Sequence, residues 1–556
     1  MAESPTASLH VPEHPVRFVT AASLFDGHDA SINIMRRILQ SQGVEVIHLG
    51  HNRSVDDIVT AVVQEDTNGV ALSSYQGGHV EYFKYLIDRL RDAGYGHVKI
   101  YGGGGGVITA DEITELHDYG VARIFSPEDG QTLGLAGMIN SMVAACDVDL
   151  GADGPPALGE VLGGSPRALA RLITCIESGS AGDDYLAELR SVAATTSAPV
   201  LGITGTGGSG KSSLTDELVR RFRLDQEDKL RIGIIAIDPT RRRGGGALLG
   251  DRIRMNSLDG AQVYFRSIAT RGAASEVPAA VADSIAAMKA AGFDLVIVET
   301  PGIGQADSGI TPLSDVSLYV MTPEFGAASQ LEKIDMLDWA DVVAINKFER
   351  RGAEDALRDV RRQVARNREL FSIDIADLPV FGTIAARFND DGVTALYQEL
   401  LHQLSAKGLT AGASQLSRVD TKFSSQPNVI VPADKVRYLA DIAATVRGYH
   451  STTESQARSV RRHHQLIEVN EIVDADLSAD VAAAATAVAP ETVRLLEAFE
   501  VTAADYADPK HQRISQSGTP VSRVALPGST KRASSFAGSD PKISRAPSLT
   551  PLASSR

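Results

Sequence analysis

The densest cluster of chemically capable residues in this sequence is the run Gly205-Thr206-Gly207-Gly208-Ser209-Gly210-Lys211-Ser212, which satisfies the spacing G-x-x-x-x-G-K-[ST]. Glycines so placed let backbone N–H groups curl around phosphate oxygens at the positive end of the helix that follows. A lysine at this position reaches the terminal phosphates, which makes Lys211 the candidate catalytic residue. The Ser212 hydroxyl is the candidate Mg²⁺ ligand of the loop. Gly208, Ser209, Gly210 and Ser213 complete the candidate nucleotide cradle. The buried-strand pattern Val200–Ile203 before the loop and the helical pattern after it supply the strand–loop–helix context that the motif needs. The chemistry implied is that of a nucleoside triphosphatase.

Further strands deliver more candidates. Arg231 to Ile237 ends on Asp238, and Phe293 to Val298 ends on Glu299-Thr300-Pro301-Gly302. Acidic residues at the C-termini of strands beside a phosphate loop sit where an open sheet binds ligands. Mg²⁺ takes octahedral oxygen coordination from a few carboxylates, phosphate and water, so both residues are candidate metal ligands. The strand Val342 to Ile345 runs into Asn346-Lys347-Phe348-Glu349. GTPases use Asn-Lys-x-Asp here, with the carboxylate accepting two hydrogen bonds from the guanine edge. Glu349 keeps the acceptor pair and adds one methylene. The reading is GTP, with ATP left open by the replaced aspartate.

A separate constellation lies near the N-terminus. The first strand ends at Leu24-Phe25-Asp26-Gly27-His28-Asp29-Ala30-Ser31, where a helix begins. A carboxylate two residues before a histidine can hold one ring nitrogen so that the other binds metal. Two further loops at the same sheet edge, Ser73-Ser74-Tyr75-Gln76-Gly77-Gly78 and Gly102 to Gly106, are made of small residues. Together they leave a groove for a large flat cofactor with a tail.

These residues need elements to hold them. From Val16 to about Val148, short apolar strands alternate with helical patterns, predicting a small doubly wound domain of five parallel strands. Gly151 to Pro156 reads as a linker and Ser165 to Arg190 as helical, and a second α/β block runs from Val200 to about Ser405. Leu409 to Pro427 reads as a linker, and Pro432 to Val473 and Ala479 to Phe499 as long helices. From Lys510 to Arg556 the chain is rich in Ser, Pro and Thr and has eight Lys or Arg against one acidic residue, Asp540, a composition that cannot fold alone. The 556 residues are too many for one core. A net charge of −16 argues against nucleic acid as a partner. No apolar run suits a membrane, and two cysteines, Cys146 and Cys175, suit a reducing cytoplasm.

The run from Asp238 through Pro239, Thr240, Arg241 to Arg243, Gly250, Asp251, Arg254 and Met255, with Glu299 to Gln305, resembles the GTPase chaperones of cobalamin-dependent mutases. That resemblance implies Mg²⁺ contacts from Ser212, the Ile237 backbone, Asp238, Asp251, Glu299 and Thr300, with Arg254 touching nucleotide. The N-terminal loops resemble the cobalamin-binding pattern Asp-x-His-x-x-Gly … Ser … Gly-Gly, with Ser31 in place of its glycine. It implies that His28, oriented by Asp26, replaces the cofactor's own base below cobalt. Ser73, Ser74, Gly102 and Gly103 would then line the channel for the nucleotide tail.

Cobalamin domain first and GTPase second is similar to the layout of the fused isobutyryl-CoA mutases. The resulting expectation is an α/β chain with these parts: N-terminal segment, disordered, 1–15; flavodoxin-like cobalamin-binding domain, 16–150; helical segment, 151–198; P-loop GTPase domain, 199–408; linker, 409–428; helical connector, 429–508; disordered tail, 509–556. The resemblance implies adenosylcobalamin and Mg²⁺ as cofactors and GTP as substrate. Its partners would be a mutase subunit or a cofactor-delivering adenosyltransferase, in a homodimer. About 150 residues follow the GTPase block, fewer than the roughly 250 of a catalytic (β/α)₈ barrel. Isomerase activity is therefore not expected of this chain alone, whether it is a truncated product or a dedicated short form. A metallochaperone and a cobalamin sensor are the rival readings.

Overall fold

The computed structural model describes residues 9–241, 244–272, 277–302, 309–326, 331–370, 372–425, 438–507, 512–514 and 520–523. Its first domain alternates β1 (Arg17–Ser23), α1 (Asp29–Ser41), β2 (Glu45–Arg53), α2 (Val55–Glu65), β3 (Gly69–Ser73), α3 (His79–Asp92), β4 (Lys99–Gly103), α4 (Ala110–Tyr119), β5 (Arg123–Phe125) and α5 (Pro127–Cys146). The strands are parallel in the order β5-β4-β3-β1-β2, with β1 wholly buried. Helix starts are written locally. Ser54 with Asp57, Thr109 with Glu112 and Ser126 with Asp129 form reciprocal capping boxes that satisfy otherwise orphaned N–H groups. Residues 9–15, expected to be disordered together with 1–8, are tied to the end of α5. Asp147 accepts from the backbone N–H groups of Glu13 and His14, and the His10 ring lies 2.7 Å from it.

The second α/β block begins with α6 (Leu158–Leu162), α7 (Pro166–Ser178) and α8 (Asp183–Ala193). The helical stretch expected over Ser165 to Arg190 is made of these last two helices, with Gly179 and Gly182 at left-handed φ values of 76° and 73° between them. The elements β6 (Val200–Gly205), α9 (Lys211–Asp225), β7 (Ile232–Asp238), β8 (Ala247–Leu249), β9 (Val263–Ala269), α10 (Ala280–Ala290), β10 (Leu295–Glu299), β11 (Val316–Met321), β12 (Val342–Asn346) and β13 (Val380–Thr383) follow. Seven of these strands form a parallel sheet in the order β13-β12-β11-β6-β10-β7-β9. The strand that enters the phosphate loop therefore sits centrally, next to the one that ends on Glu299.

The eighth strand goes elsewhere. β8 leaves its own domain and pairs in parallel with β2, from Glu45 opposite Ala247 to Ile47 opposite Leu249. The first domain's sheet therefore has six strands, one more than its own segment supplies. Buried charges reinforce the junction. Arg17 Nε donates to Glu45 at 2.8 Å and its Nη2 to Glu177 at 2.9 Å, while Arg266 and Arg271 reach Glu177 and Glu45 at 2.7 and 2.6 Å. Removing one member of such a buried set costs about 3–5 kcal/mol, because its partner is left charged out of water. The two α/β domains consequently form one compact unit, Met1–Asn428. Residues 409–425, expected as linker, are stitched onto it: the Asp225 carboxylate accepts from the N–H groups of Gln415 and Leu416 and from the Ser414 hydroxyl.

The second unit, Val429–Arg556, holds the helix Tyr438–Ile472 and three shorter ones. The long helix expected over Ala479 to Phe499 is interrupted, because Pro490 starts a new helix after Ser478–Thr486 ends. Most of the tail expected to be disordered lies outside the described residues. Within it, Gln512–Ile514 and Pro520–Arg523 form a short antiparallel pair. Among the described residues no helix is long and apolar enough to cross a membrane.

One buried group gives the first domain a calculable pH dependence. His48 on β2 lies 2.9 Å from the Thr20 hydroxyl, and burial, then the Arg36 cation, pull its pKa from 6.5 down to about 4. The unfolded chain takes up this proton near pH 6.5 and the folded one does not. Its stability contribution is therefore complete above pH 6.5 and is lost as pH falls towards 4, about 3 kcal/mol in all. In urea unfolding at pH 7 and pH 4, the parent should lose about that much more than His48→Gln. Equal losses would show that the imidazole is not held neutral.

Candidate functional site

The loop between β6 and α9 is shaped by collisions that only glycine avoids. At Gly205, φ +148°, a side chain would strike the Val320 carbonyl, and at Gly210, φ +89°, it would strike the Asn346 amide. Lys211 opens α9 and is almost wholly buried, with its ammonium group donating to the carbonyls of Gly205 at 3.0 Å and Thr206 at 3.4 Å. A Cβ on Gly302 would collide with that same ammonium group, so the turn after Glu299 must be glycine for the lysine to stand where it does. Gly208 and Ser213 are exposed, whereas the hydroxyls of Thr206 and Ser209 are buried without a partner among the described residues.

Beside the loop, two carboxylates from two segments meet one hydroxyl, and Asp238 stands near them. Ser212 Oγ lies 2.9 Å from Asp251 Oδ1 and 2.8 Å from Glu299 Oε1. It carries one hydrogen and faces two acceptors. Thr215, one turn along α9, donates to the other Glu299 oxygen at 2.8 Å. Burial, then the neighbouring charge of Asp251, push Glu299 up to about 7. Burial, then Asp251 and Glu299, push Asp238 well above the usual carboxylate range, and its Oδ2 has no partner among the described residues. Such a group of acids is stable as anions only with a cation among them. Among the described residues no set of three His, Cys, Asp or Glu side chains could hold a metal by itself. Ile237 lies one residue past the last pairing of β7 with β10. Thr300 gives its hydroxyl to Thr204 at 2.8 Å. Arg254 is exposed and pairs with Asp251 at 3.3 Å. Residues 303–308, including Gln305, and Arg242 and Arg243 lie outside the described residues.

The Asn-Lys-Phe-Glu run closes the other side of the loop. Asn346 donates to the Ser209 carbonyl at 2.8 Å, and Lys347, at a left-handed φ of 59°, donates to the Gly208 carbonyl at 2.7 Å. Glu349 is exposed at the rim. Phe348, expected to touch nucleotide, turns its side chain into the core against Phe423, under Gly382, where a Cβ would clash with its ring. Asn346 Oδ1 also accepts from the backbone N–H of Ala385 at 3.0 Å and the Thr383 hydroxyl at 3.3 Å. The sequence reading missed these residues, whose only signal is a run of small side chains after β13. It missed Thr215 as well, although a spacing of three on one helix places it beside Ser212.

At the C-terminal edge of the first sheet, Asp26 is buried and His28 points outward, with side chains 1% and 74% exposed. Asp26 Oδ1 receives the His28 backbone N–H at 2.9 Å and lies 2.8 Å from its Nδ1, while Oδ2 receives the Tyr75 N–H at 2.6 Å. Burial alone would raise this carboxyl, but the two N–H groups and the imidazole outweigh it and leave it below its ordinary value. An ionised carboxylate only accepts, so Nδ1 carries the hydrogen and the lone pair is on Nε2. Tyr75, not singled out by sequence, packs its ring 5.3 Å from the imidazole and bonds to Ser31 at 2.8 Å. Ser74 accepts from Ser23 at 2.8 Å, and the Ser73 hydroxyl is buried with no partner among the described residues. Gly103 is half-buried, and Gly102 is buried where a side chain would strike Phe83 and Ile124.

Comparison with known proteins agrees with both halves of this geometry. Residues 16–133 match the B12 binding domain family. A fused isobutyryl-CoA mutase from Nocardia farcinica (strain IFM 10152) is 60% identical over 540 residues, covering 94% of this chain and 50% of the relative. Its counterpart from Cupriavidus metallidurans (strain ATCC 43123 / DSM 2839 / NBRC 102507 / CH34) is 61% identical over 465 residues, covering 84% of this chain and 42% of the relative. That from Geobacillus kaustophilus (strain HTA426) is 52% identical, covering 90% and 47%. The chain spans about half the length of these curated relatives. Residues 169–486, more than half of the chain and including the phosphate loop, the acid cluster and the base-side clamp, match methylmalonyl Co-A mutase-associated GTPase MeaB, and the chain belongs to that family.

Proposed function

We propose that this chain is the cofactor-handling part of an adenosylcobalamin-dependent acyl-CoA mutase, in which GTP hydrolysis gates loading of the cofactor. The observation that carries the reading is the pairing, within one compact unit, of a buried phosphate loop with an outward imidazole held by a buried carboxylate. The relatives' names give isobutyryl-CoA as the acyl-CoA substrate, and its interconversion with butyryl-CoA is the carbon-skeleton rearrangement proposed. A mutase part, a cofactor-delivering adenosyltransferase and a second copy of the chain are its partners. Both cysteines are buried and unpaired, in keeping with a cytoplasmic protein.

The residues present fit Mg²⁺: a hydroxyl shared by two carboxylates and a partnerless Asp238 oxygen call for a cation. Ser212, Asp238, Asp251 and Glu299 would hold it, with the Ile237 carbonyl and Thr300 alongside. Bound there, the ion supplies charge neutralisation to the phosphates. Lys211 holds the γ-phosphoryl oxygens, the loop N–H groups orient the chain of phosphates, and Asn346 keeps the loop in register. Hydrolysis rests on positioning and electrostatics. Glu349 reads the guanine edge. Glu349→Ala should weaken GTP binding roughly tenfold to a hundredfold, the worth of hydrogen bonds to a charged group, with ATP binding little changed. Equal affinities of the parent for GTP and ATP would rule out the guanine reading.

The residues also fit cobalamin. His28 offers Nε2 to cobalt, Asp26 holds the ring, and the partnerless Ser73 hydroxyl awaits a polar group of the nucleotide tail. When bound, the adenosyl form supplies the cobalt–carbon bond whose cleavage starts radical rearrangement. His28→Ala should abolish the base-off/His-on absorbance spectrum and weaken binding. Asp26→Ala should weaken it roughly 10–100-fold. An unchanged spectrum and affinity in His28→Ala would show that the first domain does not bind cobalamin in this way.

A further inference from the structure

The segment that carries Asp251 and Arg254 into the phosphate site is short and irregular: β8, then a single 3₁₀ turn, Arg252–Arg254. Its downstream side is held by the phosphate-loop helix. Asp216 of α9 accepts from the N–H groups of Asn256 and Ser257, both at 2.8 Å, and Arg223 donates to the Ser257 carbonyl at 2.8 Å. The rest of it, β8 before Asp251 and the turn that starts at Arg252, is held mainly by the other domain. β8 is an edge strand on β2. Arg252, nearly buried, donates to Gln64 Oε1 of α2 at 2.7 Å and lies 3.7 Å from the Glu65 carboxylate. Gln64 in turn donates to the Val263 carbonyl of β9 at 3.1 Å, and Arg252 Nη1 donates to the Phe265 carbonyl at 3.3 Å. Ile253 rests on Gly50 of β2, where even a Cβ would come within 3.0 Å of it.

Asp251 therefore stands between two anchors, one in each domain. It is the residue next to Arg252, and its carboxylate shares the Ser212 hydroxyl with Glu299. A ligand group must be held within about 0.5 Å of its productive place, and half of that constraint comes from Gln64, Glu65 and β2. We propose that Arg252 is a positioning residue for GTP hydrolysis, through which the cobalamin-binding domain completes the metal side of the phosphate site. The proposal rests on the GTPase reading above. It makes the first domain a structural part of the GTPase rather than cargo attached to it. By linkage, nucleotide and metal at Asp251 must also bias the β2 edge that Ile253 touches.

The test uses the full chain with a fluorescent, non-hydrolysable GTP analogue titrated with Mg²⁺, alongside GTP turnover. Arg252→Met and Gln64→Met should each raise the half-saturating Mg²⁺ concentration roughly tenfold or more, the scale seen when the partner of a metal ligand is lost. Analogue binding in EDTA should stay at the parent level, because the loop and the base side are untouched. Arg252→Lys should recover part of the loss. Gln64→Met lies in the other domain and keeps the test decisive if Arg252→Met does not fold. A parent-like Mg²⁺ response in folded Arg252→Met or in Gln64→Met would overturn the role of Arg252. A parent chain that binds the analogue but hydrolyses no GTP would overturn the GTPase reading and this proposal with it.

Discussion

A single hydrogen, that of the Ser212 hydroxyl, lies between the carboxylates of Asp251 and Glu299. Everything around the phosphate loop is arranged so that these groups meet, although they come from a helix start, an irregular turn and a strand end. Gathering buried anions with too few donors costs stability, and the raised pKa values of Glu299 and Asp238 record that cost. Strain of this kind persists where the surrounding fold over-determines it. Here the over-determination is visible: Thr215 fixes one oxygen of Glu299, and Asp216 fixes the far end of the segment that brings Asp251.

The two binding regions solve opposite problems. The phosphate site is stiff and internal, with Asn346 tying the loop carbonyls to the strand end at Ala385 and Lys347 adding a second tie. A small, highly charged ligand needs that preorganisation, because donors fixed in advance do not reorganise when charge develops. The His28 site leaves its key side chain in solvent and invests its rigidity one step back, in Asp26 and Tyr75. The cobalamin proposed for this site would then bring most of the burial itself.

Local chemistry was legible in the sequence wherever a motif and its element coincide. The helix Val55–Glu65, the glycine-lined loop and the Asp26–His28 pair follow from residues a few positions apart. Interruptions were harder to read. Pro490 lies within apolar periodicity that runs on past it, and the pattern outweighed the punctuation. The partners of Arg252 were invisible for a different reason. Gln64 and Arg252 are 188 positions apart, and a three-residue strand that joins another domain's sheet leaves no periodic trace. Phe348 shows the converse: it sits inside a nucleotide motif, yet its side chain serves the core.

The placement of β8 also bears on how the chain is made. An open strand edge is a template for pairing with other chains, and among the described residues the edge of β2 is closed by residues 247–249. Those residues leave the ribosome about two hundred positions after β2. At synthesis rates of 5–20 residues per second, the first domain waits roughly 10–40 s with that edge unpaired. The β2 sequence bears its own protection in that interval: Glu45, with Arg17 already beside it, places a charge at the start of the exposed ladder. The last three residues to reach that sheet thus end its most association-prone stage, and they arrive only when the phosphate loop has already been synthesised.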